Sequence, residues 1–265
     1  KQVGVILGDE LESITVDRAV LGLFFSGVKL SCGYGGLCFT PVKEIPQAVC
    51  CPSSANAMPL SGKLGGRKAT EYLRDIFSGN VLKKALGIAV LNALSACCWD
   101  RLPEKDYEIL MGEDAFDHVE PAKYKKTVVV GALAPILKKL LREGNDFKVL
   151  EMDPATLKPA ELAHYAPADQ ASVYVPDADL LVITGVTILN DTLADLLSYG
   201  KKGAEIIVTG PTASMMPEPF FRRGVTKMAG ILVTRPDELL DVIAEGGSGY
   251  HFFGRSAERV LINGK

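Results

Sequence analysis

The sequence predicts an α/β protein in which a Rossmann-like parallel-sheet domain is preceded by a smaller α+β domain. After residue 124, short apolar runs alternate with amphipathic helical segments, an order that builds a parallel sheet with right-handed crossovers. Before residue 100, a hairpin pattern leads into two helical patterns without that alternation. A chain of 265 residues is long enough for two modest domains.

The smaller domain is predicted to span residues 1–100. Strand-forming residues flank a glycine-rich turn near its start, and apolar side chains recur at helical spacing near its end. The predicted elements are a short strand or helix end at 4–8, a strand at 19–30, a turn at 33–36, a strand at 37–40, an irregular loop at 41–66, and helices at 67–77 and 81–97. We interpret this domain as a hairpin packed on helices.

A linker is predicted over residues 101–123, because charged residues and prolines dominate this stretch. The Rossmann-like domain is predicted over residues 124–265. Its predicted strands are 127–131, 147–151, 180–183, 205–210 and 228–234, and its predicted helices are 134–142, 193–200, 218–223 and 236–244.

The stretch 180–193 organises the second domain. Its apolar run is typical of a strand buried on both faces, and that strand ends in Thr184 and Gly185. Asn190, Asp191 and Thr192 are suitable capping residues for the helix that follows. Polar loops and helix starts collect at the carboxyl edge of a parallel sheet, where open α/β sheets bind ligands. We therefore expect a site along this edge.

A second loop repeats this pattern of a strand followed by hydroxyl side chains. Strand 205–210 leads into Pro211 and Thr212, much as strand 180–183 leads into a loop that contains Thr187. Because successive strands place their loops side by side, we expect both loops to face one ligand pocket. The candidate ligand-binding residues of the two loops are Thr184, Gly185, Thr187, Thr192, Gly210, Pro211 and Thr212.

The residues after the first two strands of this domain do not identify a cofactor. The turn after the first strand contains a single glycine, Gly131, whereas the dinucleotide-binding fingerprint needs three glycines. This difference disfavours NAD(P) in its standard binding mode. Glu151 and Asp153 lie where a carboxylate meets a ribose or a ligand amine, as for S-adenosylmethionine or a nucleoside. The same carboxylates are equally suited to capping the next helix. The cofactor therefore stays unknown.

Catalytic residues stay unassigned, and whether the protein is an enzyme is left open. The sequence contains no nucleophile elbow or Walker A motif, and no Ser-His-Asp or Cys-His order stands out. His251 lies in a glycine-rich stretch and is interpreted as a surface or interface residue.

Composition narrows the range of partners. Lys and Arg number 29 against 32 Asp and Glu, aromatic residues make up 7%, and no basic stripe is present, so nucleic acid is not expected as a partner. The apolar run 20–25 is too short to span a membrane, and no signal peptide pattern is present, so no membrane partner and a cytoplasmic location are expected. A homo-oligomer is left open.

Six cysteines lie at positions 32, 38, 50, 51, 97 and 98, without the spacing of a zinc ribbon. Reduced, mostly buried thiols are the favoured interpretation, with no metal site assigned. The alternative interpretation is a soft-metal site at Cys50 and Cys51, because a thiolate pair in a loop could hold Zn²⁺ or Cu(I) with further ligands.

Several motifs in a fixed order resemble those of a known family. They are VITGVT at 182–187, VTGPTA at 208–213, RGVT at 223–226, EGG at 245–247, VLG at 20–22, CFTP at 38–41, LGGR at 64–67 and GIAVLNA at 87–93. Through them, nearly the whole chain resembles the bacterial and archaeal family named Putative heavy-metal chelation, formerly a domain of unknown function.

The resemblance implies a first domain like the small α+β domain of enolase, joined to a Rossmann-like domain, with a site in the cleft between them. Enolase chemistry is not implied, because the likeness does not extend to the catalytic barrel of enolase. The residues that the resemblance places in the cleft are Asn92 from the first domain and Gly131, Thr184, Gly185, Thr187, Gly210, Pro211 and Thr212 from the second.

Two functional hypotheses follow. The first is a small-molecule-binding protein or enzyme that takes a polar or anionic molecule in the cleft between the domains, within metal-chelator or cofactor metabolism. The alternative is a protein that chelates a soft heavy metal through cysteine ligands, with Cys50 and Cys51 as the candidates.

Overall fold

The computed structural model describes residues 1–45, 56–102 and 106–264. The chain divides into two compact units. Unit 1 comprises Lys1–Lys105, Pro211–Met216 and Gly230–Arg259, and unit 2 comprises Asp106–Gly210, Pro217–Ala229 and Val260–Lys265. The predicted α/β class is confirmed, because a largely parallel sheet is present together with a separate small antiparallel sheet.

The helices and strands alternate after residue 124 as predicted. The helices are α1 (Gln2–Leu7), α2 (Ala69–Asp75), α3 (Val81–Arg101), α4 (Ala134–Glu143), α5 (Pro159–Leu162), α6 (Ala171–Tyr174), α7 (Val186–Leu189), α8 (Leu193–Tyr199), α9 (Glu218–Phe221), α10 (Pro236–Ala244) and α11 (Gly249–Phe252). The strands are β1 (Val16–Leu21), β2 (Phe25–Leu30), β3 (Gly35–Phe39), β4 (Tyr107–Met111), β5 (Thr127–Val130), β6 (Phe147–Glu151), β7 (Tyr165–Pro167), β8 (Leu180–Thr184), β9 (Glu205–Thr209), β10 (Lys227–Val233) and β11 (Ala257–Gly264).

Unit 1 is built on the antiparallel sheet β1-β2-β3 and the long helix α3. The helix begins where the Asn80 side-chain oxygen accepts hydrogen bonds from the backbone N–H groups of Leu82 and Lys83, at 3.1 and 3.0 Å. Strand β3 lies against it so closely that a Cβ on Gly36 would be 2.1 Å from the Ala89 carbonyl oxygen. Glycine is therefore required at position 36 by the contact between sheet and helix.

Helix α10 also belongs to unit 1, because it packs on β1 and β2. Ion pairs join Arg18 to Asp241 at 2.7 Å and Lys29 to Asp237 at 2.6 Å. A Cβ on Gly27 would lie 2.7 Å from the Ile243 side chain. The sequence-based division placed every residue after 123 in the second domain, whereas the structure assigns residues 211–216 and 230–259 to unit 1.

Unit 2 contains most of an eight-stranded sheet with the order β4-β11-β10-β9-β8-β5-β6-β7. Strands β5 to β10 pair in parallel, and β11 pairs antiparallel with β4. Four consecutive residues of β8, Leu180 to Ile183, are 0% exposed, as expected for a strand covered on both faces. The parallel order places the polar loops after β8 and β9 at the same edge.

Two predictions about element bounds are corrected. The predicted linker 101–123 contains strand β4, which pairs with residues 260–264 of β11. The predicted strand 19–30 is two antiparallel strands, β1 and β2, joined by a turn in which the Gly22 N–H donates to the Phe25 carbonyl oxygen at 3.0 Å. Strand-forming composition on both sides of a short turn concealed the reversal.

Helix α3 is long and apolar enough, by length and composition alone, to meet the criterion for a membrane span. It has 21 residues, and 83% of its most apolar window is buried in the structure. The core helix of a water-soluble protein meets the same criterion, so this helix is weak evidence on membrane contact.

We predict that Gly36→Ala destabilises the protein by about 1–3 kcal/mol, because the new methyl group would meet backbone atoms of α3 that cannot rotate away. Urea unfolding of the variant measures this change. Gly79→Ala is the matched control: its Cβ would have no heavy atom within 4 Å, so the free energy of unfolding should change by less than about 0.5 kcal/mol. Equal effects of the two substitutions would contradict the close approach.

Candidate functional site

The loop after β8 is held by its own hydroxyl groups. The Thr187 hydroxyl donates to the Thr184 carbonyl oxygen at 2.7 Å, and the Thr184 hydroxyl accepts from the Val186 N–H at 3.4 Å. The Gly185 N–H donates to the Thr209 carbonyl oxygen at 2.6 Å, which ties this loop to the end of β9. Two of the predicted hydroxyl groups therefore shape the loop.

Two glycines of unit 2 lie beside this loop. Gly131 has φ 95°, and a Cβ there would be 2.8 Å from the Thr184 side chain, so the turn after β5 approaches Thr184 closely. Gly210 has φ 119°, and its N–H donates to the Ala229 carbonyl oxygen at 2.8 Å. Both positions adopt backbone conformations that favour glycine. The structure thus brings Gly131, Thr184, Gly185 and Gly210 together in unit 2.

Glu151 and Asp153 interact with nearby backbone N–H groups. One Glu151 carboxylate oxygen accepts from the Ala132 N–H at 2.9 Å, and the other accepts from Met152 and Asp153 at 2.8 and 3.3 Å. Asp153 caps the following turn by accepting from the Ala155 N–H at 3.0 Å. The sequence left open whether these carboxylates bind a ligand or cap a helix, and Asp153 has the capping role. Glu151 instead connects the turn after β5 to the end of β6.

Of the predicted capping residues of α8, Asn190 accepts a hydrogen bond from the Thr192 N–H at 3.3 Å, whereas the prediction for Thr192 is wrong. Thr192 occupies the N-cap position, but its side chain makes no capping hydrogen bond. Its hydroxyl instead donates to the Asn190 side-chain oxygen at 2.7 Å. Asp191 has φ 63°, an uncommon conformation for a residue other than glycine. The three polar residues form a tight turn between α7 and α8.

A cavity of about 250 Å³ lies in unit 2 beside this turn. Its polar lining residues are Thr187 and Asp191, from the segment after β8, and Arg223, from the segment between α9 and β10. Its apolar lining includes Ile188, Leu193, Leu197 and Phe220. Within residues 1–45, 56–102 and 106–264, no carboxylate forms an ion pair with the exposed Arg223, whose Nη1 donates to the Pro219 carbonyl oxygen at 2.9 Å.

Asn92, Pro211 and Thr212 meet in unit 1. The Asn92 side-chain NH₂ group lies 2.7 Å from the Leu37 carbonyl oxygen, 3.2 Å from that of Pro211 and 3.1 Å from that of Thr212. The Thr212 hydroxyl accepts from the Phe39 N–H at 3.0 Å. Asn92 is 2% exposed, so these hydrogen bonds hold the segment 211–216 against β3 and α3 inside the unit.

Further buried polar groups surround this contact. Ser95 accepts from the Met216 N–H at 3.2 Å, and Ser214 accepts from the Ile231 N–H at 2.8 Å. Burial raises the pKa of the Cys38 thiol from 9.0 to about 12, while a hydrogen bond to Thr212 and the charge of Lys84 lower it by less. The Cys38 thiol is therefore protonated at neutral pH.

Sequence and structure comparisons identify relatives of the chain. Two profiles, both described as Putative heavy-metal chelation, match residues 114–262 and residues 5–95. An uncharacterised protein from Methanocaldococcus jannaschii is 30% identical over 195 residues, which cover 72% of this chain and 70% of that protein.

The chain belongs to the Putative heavy-metal chelation family.

Two solved structures of proteins of unknown function share the fold of this family member. The protein from Pyrococcus horikoshii has a TM-score of 0.77 at 19% identity, over 99% of this chain and 96% of that chain. The protein from Desulfitobacterium hafniense has a TM-score of 0.71 at 22% identity, over 95% of this chain and 93% of that chain. The resemblance predicted from the sequence is confirmed.

The predicted ligand residues of this family member fall into two groups. Asn92, Pro211 and Thr212 lie in unit 1, and the others lie in unit 2. The shared cleft that the resemblance implies stays a prediction. Cys50 and Cys51 lie outside the residues that the structure describes. Among the described residues, no group of three or more His, Cys, Asp or Glu could hold a metal ion.

The sequence analysis did not select Lys84, Ser95, Asp191, Ser214 or Arg223 as site residues. A signal for two of them exists in α3, where Lys84, Asn92 and Ser95 interrupt an apolar helix at spacings of 8 and 3 residues, which place them on one face of the helix. Asp191 and Arg223 are 32 positions apart by their numbers, and no local pattern relates them. Only the fold brings them to one cavity.

We predict that Asn92→Ala destabilises the protein by about 1–3 kcal/mol, because buried carbonyl oxygens lose their donor. Chemical denaturation measures the loss. Asn92→Asp keeps the shape but sets a carboxylate against three carbonyl oxygens, so it should destabilise at least as strongly at neutral pH. A near-normal Asn92→Asp variant would contradict the donor role of the amide.

A pH-dependent stability contribution is predicted for Cys38. Because its folded-state pKa is raised from 9.0 to about 12, the protonated thiol favours the folded state, and this contribution is complete below pH 9.0 and is lost as the pH rises toward 12. The difference in unfolding free energy between wild type and Cys38→Ala should therefore shrink between about pH 8 and pH 10.5. The difference for Leu37→Ala, an apolar neighbour, should stay constant. A constant difference for Cys38→Ala would contradict the raised pKa.

Proposed function

We propose that this protein binds a small polar or anionic molecule in a cavity of unit 2 that lies between the segment after β8 and helix α9. The observation that carries the proposal is the cavity of about 250 Å³ in unit 2, whose lining combines apolar side chains with Thr187, Asp191 and Arg223. Ligand sites typically combine a mostly apolar lining with a few polar groups that fix orientation. This combination supports binding rather than a merely structural gap.

Arg223 selects the ligand class in this proposal. Within the described part of the chain, its guanidinium group donates one hydrogen bond, to the Pro219 carbonyl oxygen at 2.9 Å, which leaves its other donors for a ligand. A guanidinium group binds carboxylates and phosphates through two parallel hydrogen bonds. The cavity is smaller than the roughly 300–1,000 Å³ of sites for drug-sized ligands, which favours a compact anion with an apolar portion.

The glycine-rich edge beside the cavity supports the same proposal. Gly131 lets the turn after β5 approach Thr184. The Gly185 N–H donates to the Thr209 carbonyl oxygen at 2.6 Å and the Gly210 N–H donates to the Ala229 carbonyl oxygen at 2.8 Å, so the loops at this edge are fixed by hydrogen bonds. Fixed loops reduce the conformational entropy that ligand binding has to overcome. Participation in metal-chelator or cofactor metabolism remains part of the proposal and draws its support from the family name.

We predict that a thermal-shift screen with the anions benzoate, adenosine monophosphate and a pterin carboxylate finds at least one stabilising compound, since ligands stabilise the folded state by mass action. Arg223→Gln should lower the affinity for that compound by about tenfold or more, which is the loss expected when a charged hydrogen-bond donor is removed.

Arg222→Gln is the matched control, because Arg222 is an exposed neighbour that does not line the cavity. It should leave the ligand-induced shift unchanged. Equal shifts in wild type and Arg223→Gln, or the absence of any stabilising compound, would count against this function.

A further inference from the structure

A second cavity of unit 2 lies at the edge of the sheet where strands β5 and β6 begin. Its volume is about 310 Å³. Thr127 and Phe147, the first residues of those strands, line it, and helix α6 contributes Tyr174. Because β5, β6 and β8 pair in parallel, this edge is opposite to the one at which the segment after β8 starts. The two cavities share no lining residue, so they are separate sites of unit 2.

The buried part of the cavity lining contains a hydroxyl group without a hydrogen-bond partner. Thr127 is 2% exposed, and its hydroxyl forms no hydrogen bond with any residue that the structure describes. The buried residues around it are apolar, since Val128 and Phe147 are 3% and 2% exposed. A buried polar group that lacks a hydrogen bond costs free energy, and such groups are uncommon in folded proteins. A molecule in the cavity with a polar atom near Thr127 would remove this cost.

The more exposed part of the lining carries two charges that no ion pair neutralises. Lys126 forms an ion pair with Asp177 at 2.7 Å, which uses one charge of each sign. Lys148 and Asp146 also line the cavity, and neither forms an ion pair within residues 1–45, 56–102 and 106–264. The Lys148 Nζ atom lies 6.0 Å from the centre of the Tyr174 ring. One cation and one anion are therefore available to a bound molecule.

We propose that this second cavity binds an α-amino acid with an apolar side chain, in its zwitterionic form. The ligand carboxylate accepts hydrogen bonds from the Lys148 ammonium group and the Thr127 hydroxyl, and the ligand ammonium group donates to the Asp146 carboxylate. The ligand side chain packs on apolar surface at the entrance, where Val173 is 66% exposed and Tyr174 is partly exposed. The proposal does not depend on the anion-binding function described above.

Charge and size favour an amino acid over other small ligands. Two lysines and two aspartates line the cavity, so their charges cancel and the site attracts neither a net anion nor a net cation. A phosphate ester would bring its negative charge close to Asp146 and Asp177, and a polyamine would leave Lys148 unpaired. A volume of about 310 Å³ is at the lower end of the roughly 300–1,000 Å³ typical of ligand pockets, which suits a molecule of amino-acid size.

The experiment titrates the protein with L-leucine and with L-phenylalanine in an isothermal calorimeter. Each amino acid is compared with its amide, which lacks the carboxylate, and with the corresponding deaminated acid, which lacks the ammonium group. At least one amino acid should bind at millimolar concentration or below. Its two analogues should bind at least about tenfold more weakly, because each leaves one charge of the site unpaired. Absence of binding by both amino acids, or equal affinity for an amino acid and its amide, would overturn the proposal.

Variants of the lining then assign the binding to this cavity. Lys148→Gln and Asp146→Asn should each lower the affinity by about tenfold or more, and the exposed Asp146 decides the matter if the Lys148 variant fails to fold. Thr127→Val should weaken binding without lowering the free energy of unfolding, since the hydroxyl that it removes has no partner in the described chain.

Lys125→Gln is the matched control, because Lys125 is an exposed neighbour that does not line the cavity, and it should bind the amino acid as wild type does. Arg223→Gln should also bind normally, which separates this site from the anion site of the proposed function. Wild-type affinity in Asp146→Asn, or an equal loss of affinity in Lys125→Gln and Lys148→Gln, would overturn the proposal.

Discussion

A strand with apolar side chains on both of its faces must be covered on both faces, and this requirement governs unit 2. Strand β8 is the clearest case, since four of its residues in succession are 0% exposed. Its neighbours β5 and β9 pair with it in parallel, which requires crossover segments between the strands. Parallel order in turn collects the loops after β5, β8 and β9 at one edge, where Gly131, Thr184 and Gly210 are found.

Unit 1 depends on a different constraint, the burial of polar groups within an apolar core. Segment 211–216 carries backbone carbonyl groups into that core, and a buried carbonyl without a donor costs free energy. Asn92 supplies the donor for Pro211 and Thr212, while Ser95 accepts from the N–H of Met216. The polar residues Asn92 and Ser95 of α3 thus hold segment 211–216 in place. This structural role explains the presence of Asn92 in an apolar core without a ligand.

The elements that sequence reasoning located best are those decided by local pattern. Strand β6 and helix α10 have the predicted bounds, because an apolar run and an amphipathic segment that begins with proline need no distant contact to be recognised. The reversal at Gly22 was missed because strand-forming residues lie on both sides of a short turn, which the Gly22 N–H closes onto the Phe25 carbonyl oxygen. The place of α10 in unit 1 depends on its ion pairs with β1 and β2, residues more than 200 positions earlier, which no local pattern reveals.

The candidate site shows the same limit. The glycines and hydroxyls at the ends of β5 and β8 were predictable, since turn chemistry is local. Their detailed roles were not, because the Thr187 hydroxyl could have faced a ligand or the Thr184 carbonyl oxygen, and only coordinates decide between the two. Arg223 entered the sequence analysis as part of a family motif and gains a chemical role only from the cavity.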